Sequence, residues 1–273
     1  MGAARLRATT TAFYGSSRLN KRASRVLNVE KNRPAYAGGS DLKLCDSLYI
    51  QPQTSLMTLF MKRARYPLFL CALLMFTACR DKTNDLIKAA GAGDANTVKA
   101  LLDKGVNVNA RDQDGSTALI QAASKGHPET VQVLLSRGAD VDARSVDGGT
   151  ALMWATYEDQ GEVVKTLLEH GASVDARDSD QSTALTLAAL KGFTGIARML
   201  LDHGASVNAM DDQGRTALLY AAENGYEDTV KALLDKGADV NVKDANGYTA
   251  LRLTSESGHA SIEQMLKQAG ATE

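Results

Sequence analysis

A period of 33 residues governs most of this chain. The triplet Thr-Ala-Leu begins at Thr117, Thr150, Thr183, Thr216 and Thr249, each one period after the last. Leu101, Leu134, Leu167, Leu200, Leu233 and Leu266 keep the same step, as do Gly105, Gly138, Gly171, Gly204, Gly237 and Gly270. A unit this short buries too little apolar surface to fold alone, so a chain that repeats it must stack the units and share a core between neighbours.

Inside one period the local chemistry is that of two helices and a turn. Each Thr of the triplet is a side-chain N-cap for a short helix, whose paired Ala let a second helix come close. The second helix carries the Leu-Leu pair and closes at a glycine able to adopt the left-handed conformation. Turns built from "DQDG", "DDQG" and "DANG" lead into the next unit, with Val108, Val141, Val174, Val207 and Val240 stacking before them.

This pattern resembles the ankyrin repeat, and the best match is "DQDGSTALIQAASKGHPETVQVLLSRGADVDA" over 112–143. The resemblance covers about 83–272. It implies an all-α solenoid of helix-turn-helix units with β-turn or hairpin fingers, six repeats counting the caps. The repeats run near 83–111, 112–144, 145–177, 178–210, 211–243 and 244–273. The ends are polar, as caps must be: Lys267 stands where inner units have Leu102, Leu135, Leu168, Leu201 and Leu234, and the first unit opens with "DKTNDLIKAA". Two inner positions break the pattern. Asp159 replaces the glycine of Gly93, Gly126, Gly192, Gly225 and Gly258, and Gln181 replaces that of Gly115, Gly148, Gly214 and Gly247. Both are expected to carry a left-handed backbone under strain.

The array occupies 80–273, and what precedes it is a leader. Residues 61–79 read "MKRARYPLFLCALLMFTAC": Met, a basic cluster, an apolar run from Tyr66 to Ala78, then small residues, which is the order of an export signal. The run is shorter than the roughly 20 residues a helix needs to cross a bilayer. "FTAC" resembles the lipobox of bacterial lipoproteins, which implies lipidation of Cys79 and cleavage just before it; Phe76 departs from the usual Leu. The competing readings are an ordinary export signal and a buried apolar helix. Residues 1–60 carry nine Lys and Arg against three acids with no apolar period. They are expected to be a disordered or mis-assigned leader, with translation starting at Met61 or Met57, the alternative being an organelle transit peptide.

Twelve of the chain's 31 basic residues but only three of its 32 acidic ones precede residue 80, leaving 19 bases against 29 acids in the array. An acidic array disfavours nucleic acid and anionic lipid surfaces and favours a protein partner with a basic or mixed apolar surface. Membrane contact is expected through the lipid alone. All three cysteines, Cys45, Cys71 and Cys79, lie in the leader, so the array has no thiol to oxidise. No metalloprotease, nucleophile-elbow or phosphate-loop motif is present, and no catalytic residue, cofactor or metal is expected. His127 and His259 sit at the family's Gly-His position, which implies structural hydrogen bonds. His170 and His203 stand one period apart, a separation of about 10 Å that one zinc ion does not bridge.

The resemblance implies a non-catalytic module that binds protein through a concave face of turn tips and first helices. Repeat arithmetic puts Tyr157 and Leu190 side by side there as exposed apolar residues, rimmed by Glu158 and Glu223, with Arg215 and Tyr248 at the turns. Trp154 falls in a core-facing slot shared with Gln121, Leu187, Tyr220 and Leu253. Asp114, Asp147 and Asp180 make an acidic row at the turn tips, where aspartate commonly bonds its own backbone. The expected location is extracytoplasmic: the periplasm, lipid-anchored, with Arg80 after Cys79 pointing to the outer membrane. Similar exported ankyrin proteins imply a place in envelope peroxide defence. The alternatives are an inhibitor or immunity partner of a lipase or secreted toxin, a structural assembly factor, and a cytosolic effector if the leader is genuine.

Overall fold

The computed structural model describes residues 82–272. The leader expected at 1–60, the signal expected at 61–79 and the lipidation expected at Cys79 lie outside the described residues. Each unit contributes an inner and an outer helix. Unit 1 holds α1, helical over 82–91, and α2 (Ala95–Asp103). Unit 2 holds α3 (Ala118–Ser124) and α4 (Pro128–Ser136), and unit 3 holds α5 (Ala151–Tyr157) and α6 (Gly161–Glu169). Units 4, 5 and 6 follow with α7 (Ala184–Lys191) and α8 (Thr194–Asp202), α9 (Ala217–Glu223) and α10 (Glu227–Asp235), and α11 (Ala250–Ser257) and α12 (Ala260–Gln268). Inner helices pack on inner helices and outer on outer from α2 to α12, the arrangement of an all-α solenoid.

The threonine caps form as the triplet requires. Thr117, Thr150, Thr183, Thr216 and Thr249 all have extended backbones and accept from the N–H three residues on. The alanines behind them are buried, and Leu134, Leu167, Leu200, Leu233 and Leu266 are fully excluded from water. Leu101, the first rung of that ladder, is only half-buried. These leucines therefore pack towards the preceding unit, which is why the last rung is fully covered and the first only partly.

A second row points the other way. Ile120, Met153, Thr186 and Leu219 are 1–3% exposed, while Arg252, their equivalent in unit 6, is exposed. Its guanidinium pairs with Glu256 at 3.0 Å, and Lys267 pairs with Glu263 at 2.5 Å. Where a seventh unit would stack there is thus a charged cleft of about 420 Å³ lined in part by Arg252, Glu263 and Lys267. Polar capping extends beyond Lys267 to the inner helix.

Neighbouring units are stitched at fixed places. Asn109, Asp142, Asp175, Asn208 and Asn241 each accept from a backbone N–H 31 residues ahead, at 2.8–2.9 Å. Successive fingers pair through Val146, Ser179, Asp212 and Ala245 N–H, which donate to the carbonyls of Asp114, Asp147, Asp180 and Gln213. The fingers are turns; the only β pairing among the described residues is an isolated bridge between Arg111 and Thr117.

Asp159 and Gln181 are left-handed, each with φ of 59°, and they are the only non-glycine residues so placed among the described residues. Equivalent glycines carry a second constraint. A Cβ built on Gly225 would lie 2.6 Å from His259 of the next unit. That histidine donates its Nε2–H to the carbonyl of Glu223 at 3.1 Å, and His127 donates to the carbonyl of Gly91 in the same way. The Gly-His position is a joint between units.

Candidate protein-binding face

The inner helices of units 3 and 4 place an apolar group at the surface. Tyr157 ends α5 and Leu190 lies near the end of α7 at the equivalent place. The repeat reading expected both to be exposed. The structure corrects this: both are half-buried and packed against the core. Trp154, one turn before Tyr157 on the same helix face, meets it edge-on, with ring centroids 6.4 Å apart and planes at 75°. The ammonium of Lys191 sits 4.1 Å from the centre of the Tyr157 ring.

Trp154 occupies its core-facing slot only partly and is itself half-buried. Its indole lies over Gly149, where a Cβ would be 2.8 Å from Nε1. Nε1 is covered by protein and has no hydrogen-bond partner. The aspartate that anchors the turn in the other fingers is Ser145 in this one, and Ser145 Oγ donates to the Gly149 carbonyl instead.

Unit 5 is organised differently. Arg215 was expected at the face and Glu223 on the rim around Tyr157 and Leu190; the structure ties them to each other. The Arg215 side chain is only 12% exposed and its guanidinium rests 4.3 Å from the Tyr220 ring. Tyr220 in turn donates its hydroxyl to Asp211. Burial, with the Asp211 carboxylate adding to it, pushes the Tyr220 hydroxyl far above the usual tyrosine range. Tyr248 is half-buried, with the Arg252 guanidinium 4.3 Å over its ring. Arg215 and Glu223 therefore spend their charges on each other, and Tyr248 gives its ring face to Arg252.

A family model described as ankyrin repeats (3 copies) matches residues 86–178, 175–244 and 210–272. The chain belongs to the ankyrin-repeat family. Ankyrin arrays are protein-interaction modules, and the helical solenoid agrees with that assignment. No curated protein matches the chain.

The ankyrin fingers carry features that sequence reasoning missed. Asp112, Asp178, Asp211 and Asp244 hold their turns by accepting two backbone N–H groups each. The row Asp114, Asp147 and Asp180, two residues later, lends its carbonyls to the next finger. Arg111, Arg144 and Arg177 form a ladder: each donates to a carbonyl in its own turn and to the backbone of residue 144, 177 or 210 in the next unit. Their 33-residue spacing was visible, but nothing in a sequence marks a carbonyl as an acceptor. Val146 at a finger tip is 75% exposed and Met210, which ends the ladder, is 43% exposed.

The ankyrin histidines do not converge. His170 and His203 each turn a ring nitrogen onto the carbonyl of their own outer helix at 2.8 Å. Among the described residues no three His, Cys, Asp or Glu side chains gather as metal ligands would. No described helix is long and apolar enough to cross a membrane.

Proposed function

We propose that this ankyrin array is a non-catalytic scaffold that grips a protein partner through its inner-helix face, centred on Tyr157 and Leu190, while a lipid on Cys79 holds it on the extracytoplasmic side of a membrane. The observation that carries the binding reading is the Trp154, Tyr157 and Leu190 group. These large apolar side chains stand half-covered on helices whose equivalents in units 5 and 6 at the Tyr157 position are Glu223 and Glu256. An apolar centre beside charged neighbours is the usual composition of a protein-binding hot spot. Anchoring is supported by the "FTAC" motif after a charged and apolar leader. Two or more acyl chains hold a protein firmly, at about 0.8 kcal/mol per buried CH₂. A role in envelope peroxide defence belongs to this proposal through resemblance alone.

The two halves separate experimentally. A photo-crosslinking residue at position 157 should trap one protein in intact cells, and the same residue at Lys165 on the outer helix should not. Trapping only from Lys165 would move the binding face. Cys79→Ser should lose lipid labelling and enter the soluble extracytoplasmic fraction with its fold intact; a mature N-terminus upstream of Met57 would sink the anchoring idea.

A further inference from the structure

The residue after Tyr157 and Leu190 in each unit points to the kind of surface that fills this face. Reading along the array, that position is Lys125, Glu158, Lys191, Asn224 and Ser257, all exposed. The charges run positive, negative, positive and then stop. Lys125 and Glu158 make no side-chain hydrogen bond or ion pair, and the exposed Lys191 ammonium rests on the Tyr157 ring with no carboxylate partner. One row inward the picture reverses. Glu223 and Glu256 are already paired, with Arg215 and Arg252. Unpaired charge runs along units 2 to 4, half-covered apolar surface lies within that span on units 3 and 4, and both end at unit 5.

We infer that the partner lays an amphipathic helix across units 2 to 4, presenting acidic, basic and acidic side chains at heptad spacing to Lys125, Glu158 and Lys191, with its apolar stripe on Tyr157 and Leu190. This rests on the inner-helix face being the binding face. The spacing favours a helix. Stacked helices lie about 8–10 Å apart, so the three charges recur at that interval. Seven residues of α-helix advance about 10.5 Å and return to nearly the same face. Same-face residues of an extended strand fall at about 6.7 or 13 Å, both further from the 8–10 Å interval than the helical advance is. The charge pattern reads the same from both ends, so it fixes the partner's signs without fixing its direction. It also refines the expectation from net charge: the array as a whole is acidic, but this strip demands a mixed surface with carboxylates at both ends. A carboxylate docking on Lys191 would shield the ammonium from water while it rests on Tyr157, where cation–π attraction is stronger.

Trp154 is the only tryptophan in the chain and lies beside Tyr157, so its fluorescence reports occupancy without labels. Two tryptophan-free synthetic helical peptides test the inference on the full-length protein. One carries Glu, Lys and Glu at positions i, i+7 and i+14 beside a leucine stripe, and the other inverts only those three charges. The first should saturate the Trp154 signal with a Kd at least tenfold lower than the second. The triple reversal Lys125→Glu, Glu158→Lys and Lys191→Glu should invert that preference. Lys191→Glu alone, at one exposed residue, should remove most of it and serves if the triple variant folds poorly. Affinities within threefold of each other, a preference that survives reversal, or no Trp154 response to either peptide would overturn the inference. Crosslinking from position 157 in that event would show that the face binds protein and that only the helix is wrong.

Discussion

Units 3 and 5 share a backbone and differ in what their side chains have left to offer. In unit 5, Asp211 anchors the finger, Tyr220 donates to Asp211, and Arg215 covers the Tyr220 ring while pairing with Glu223. In unit 3 the equivalents of Asp211 and Tyr220 are Ser145 and Trp154, and no bond joins them; the indole N–H is left without an acceptor. Asp159 follows with a left-handed backbone that costs on the order of 1 kcal/mol for a residue with a Cβ. Unit 5 has closed its polar groups on itself except for Arg215 Nε, and unit 3 has left both Trp154 Nε1 and Thr156 Oγ1 without partners. Surface that is not self-satisfied is where a partner gains most, because the array gives up no internal bonds to meet it.

Tyr220→Phe attacks the comparison hardest. It strands an oxygen of the buried Asp211 carboxylate, a loss of about 2 kcal/mol, at the middle of the range for an unsatisfied buried acceptor. Calorimetry should show melting about 4–8 °C lower for an array of this size. The folded Tyr220 keeps its proton where an unfolded tyrosine, at about 10, releases it, so its contribution is complete below that pH and fades as pH rises further. Tyr220→Phe should therefore lose less stability than the parent between neutral and strongly alkaline pH. An unchanged melting temperature would mean that unit 5 is not locked in this way.

Relieving unit 3 and its neighbour should have about half that effect, in the opposite direction. Asp159→Gly and Gln181→Gly each remove the penalty at φ of 59° and should raise stability by about 1 kcal/mol, or about 2–4 °C. Glycine also loosens the unfolded chain, and a lowered melting point for both variants would show that this term outweighs the strain. The smallest change is Ser145→Asp, which gives the finger of unit 3 the carboxylate that holds four others. About 0.5 kcal/mol of stabilisation is expected from the added backbone hydrogen bonds, measured by denaturant titration. A null result there would make the turn indifferent to its anchor and weaken the contrast between the two units.

The legible part of the fold was local. Each Thr cap depends on an N–H three residues on, and the left-handed backbones at Asp159 and Gln181 follow from which neighbours in register are glycine. His127 and His259 were recognised as structural from a dipeptide, although their acceptor carbonyls lie 36 residues away. The candidate site was legible only in outline. Repeat arithmetic put Tyr157 beside Leu190, but it treated both as exposed and took Arg215 and Glu223 as free.

What the sequence by itself determined is therefore the period, the caps, the backbone signs and the array's charge, because each depends on residues within a turn or on a simple count. The tertiary structure decided which side chains consume one another. Arg215 meets Glu223 only because the finger folds back over its own inner helix, and Arg111, Arg144 and Arg177 form a ladder only because stacking brings each beside the carbonyls of the next unit. A repeat fixes the register in which such groups approach. Packing of the particular neighbours fixes the rotamers, and rotamers determine whether a charge is spent inside the protein or left for a partner.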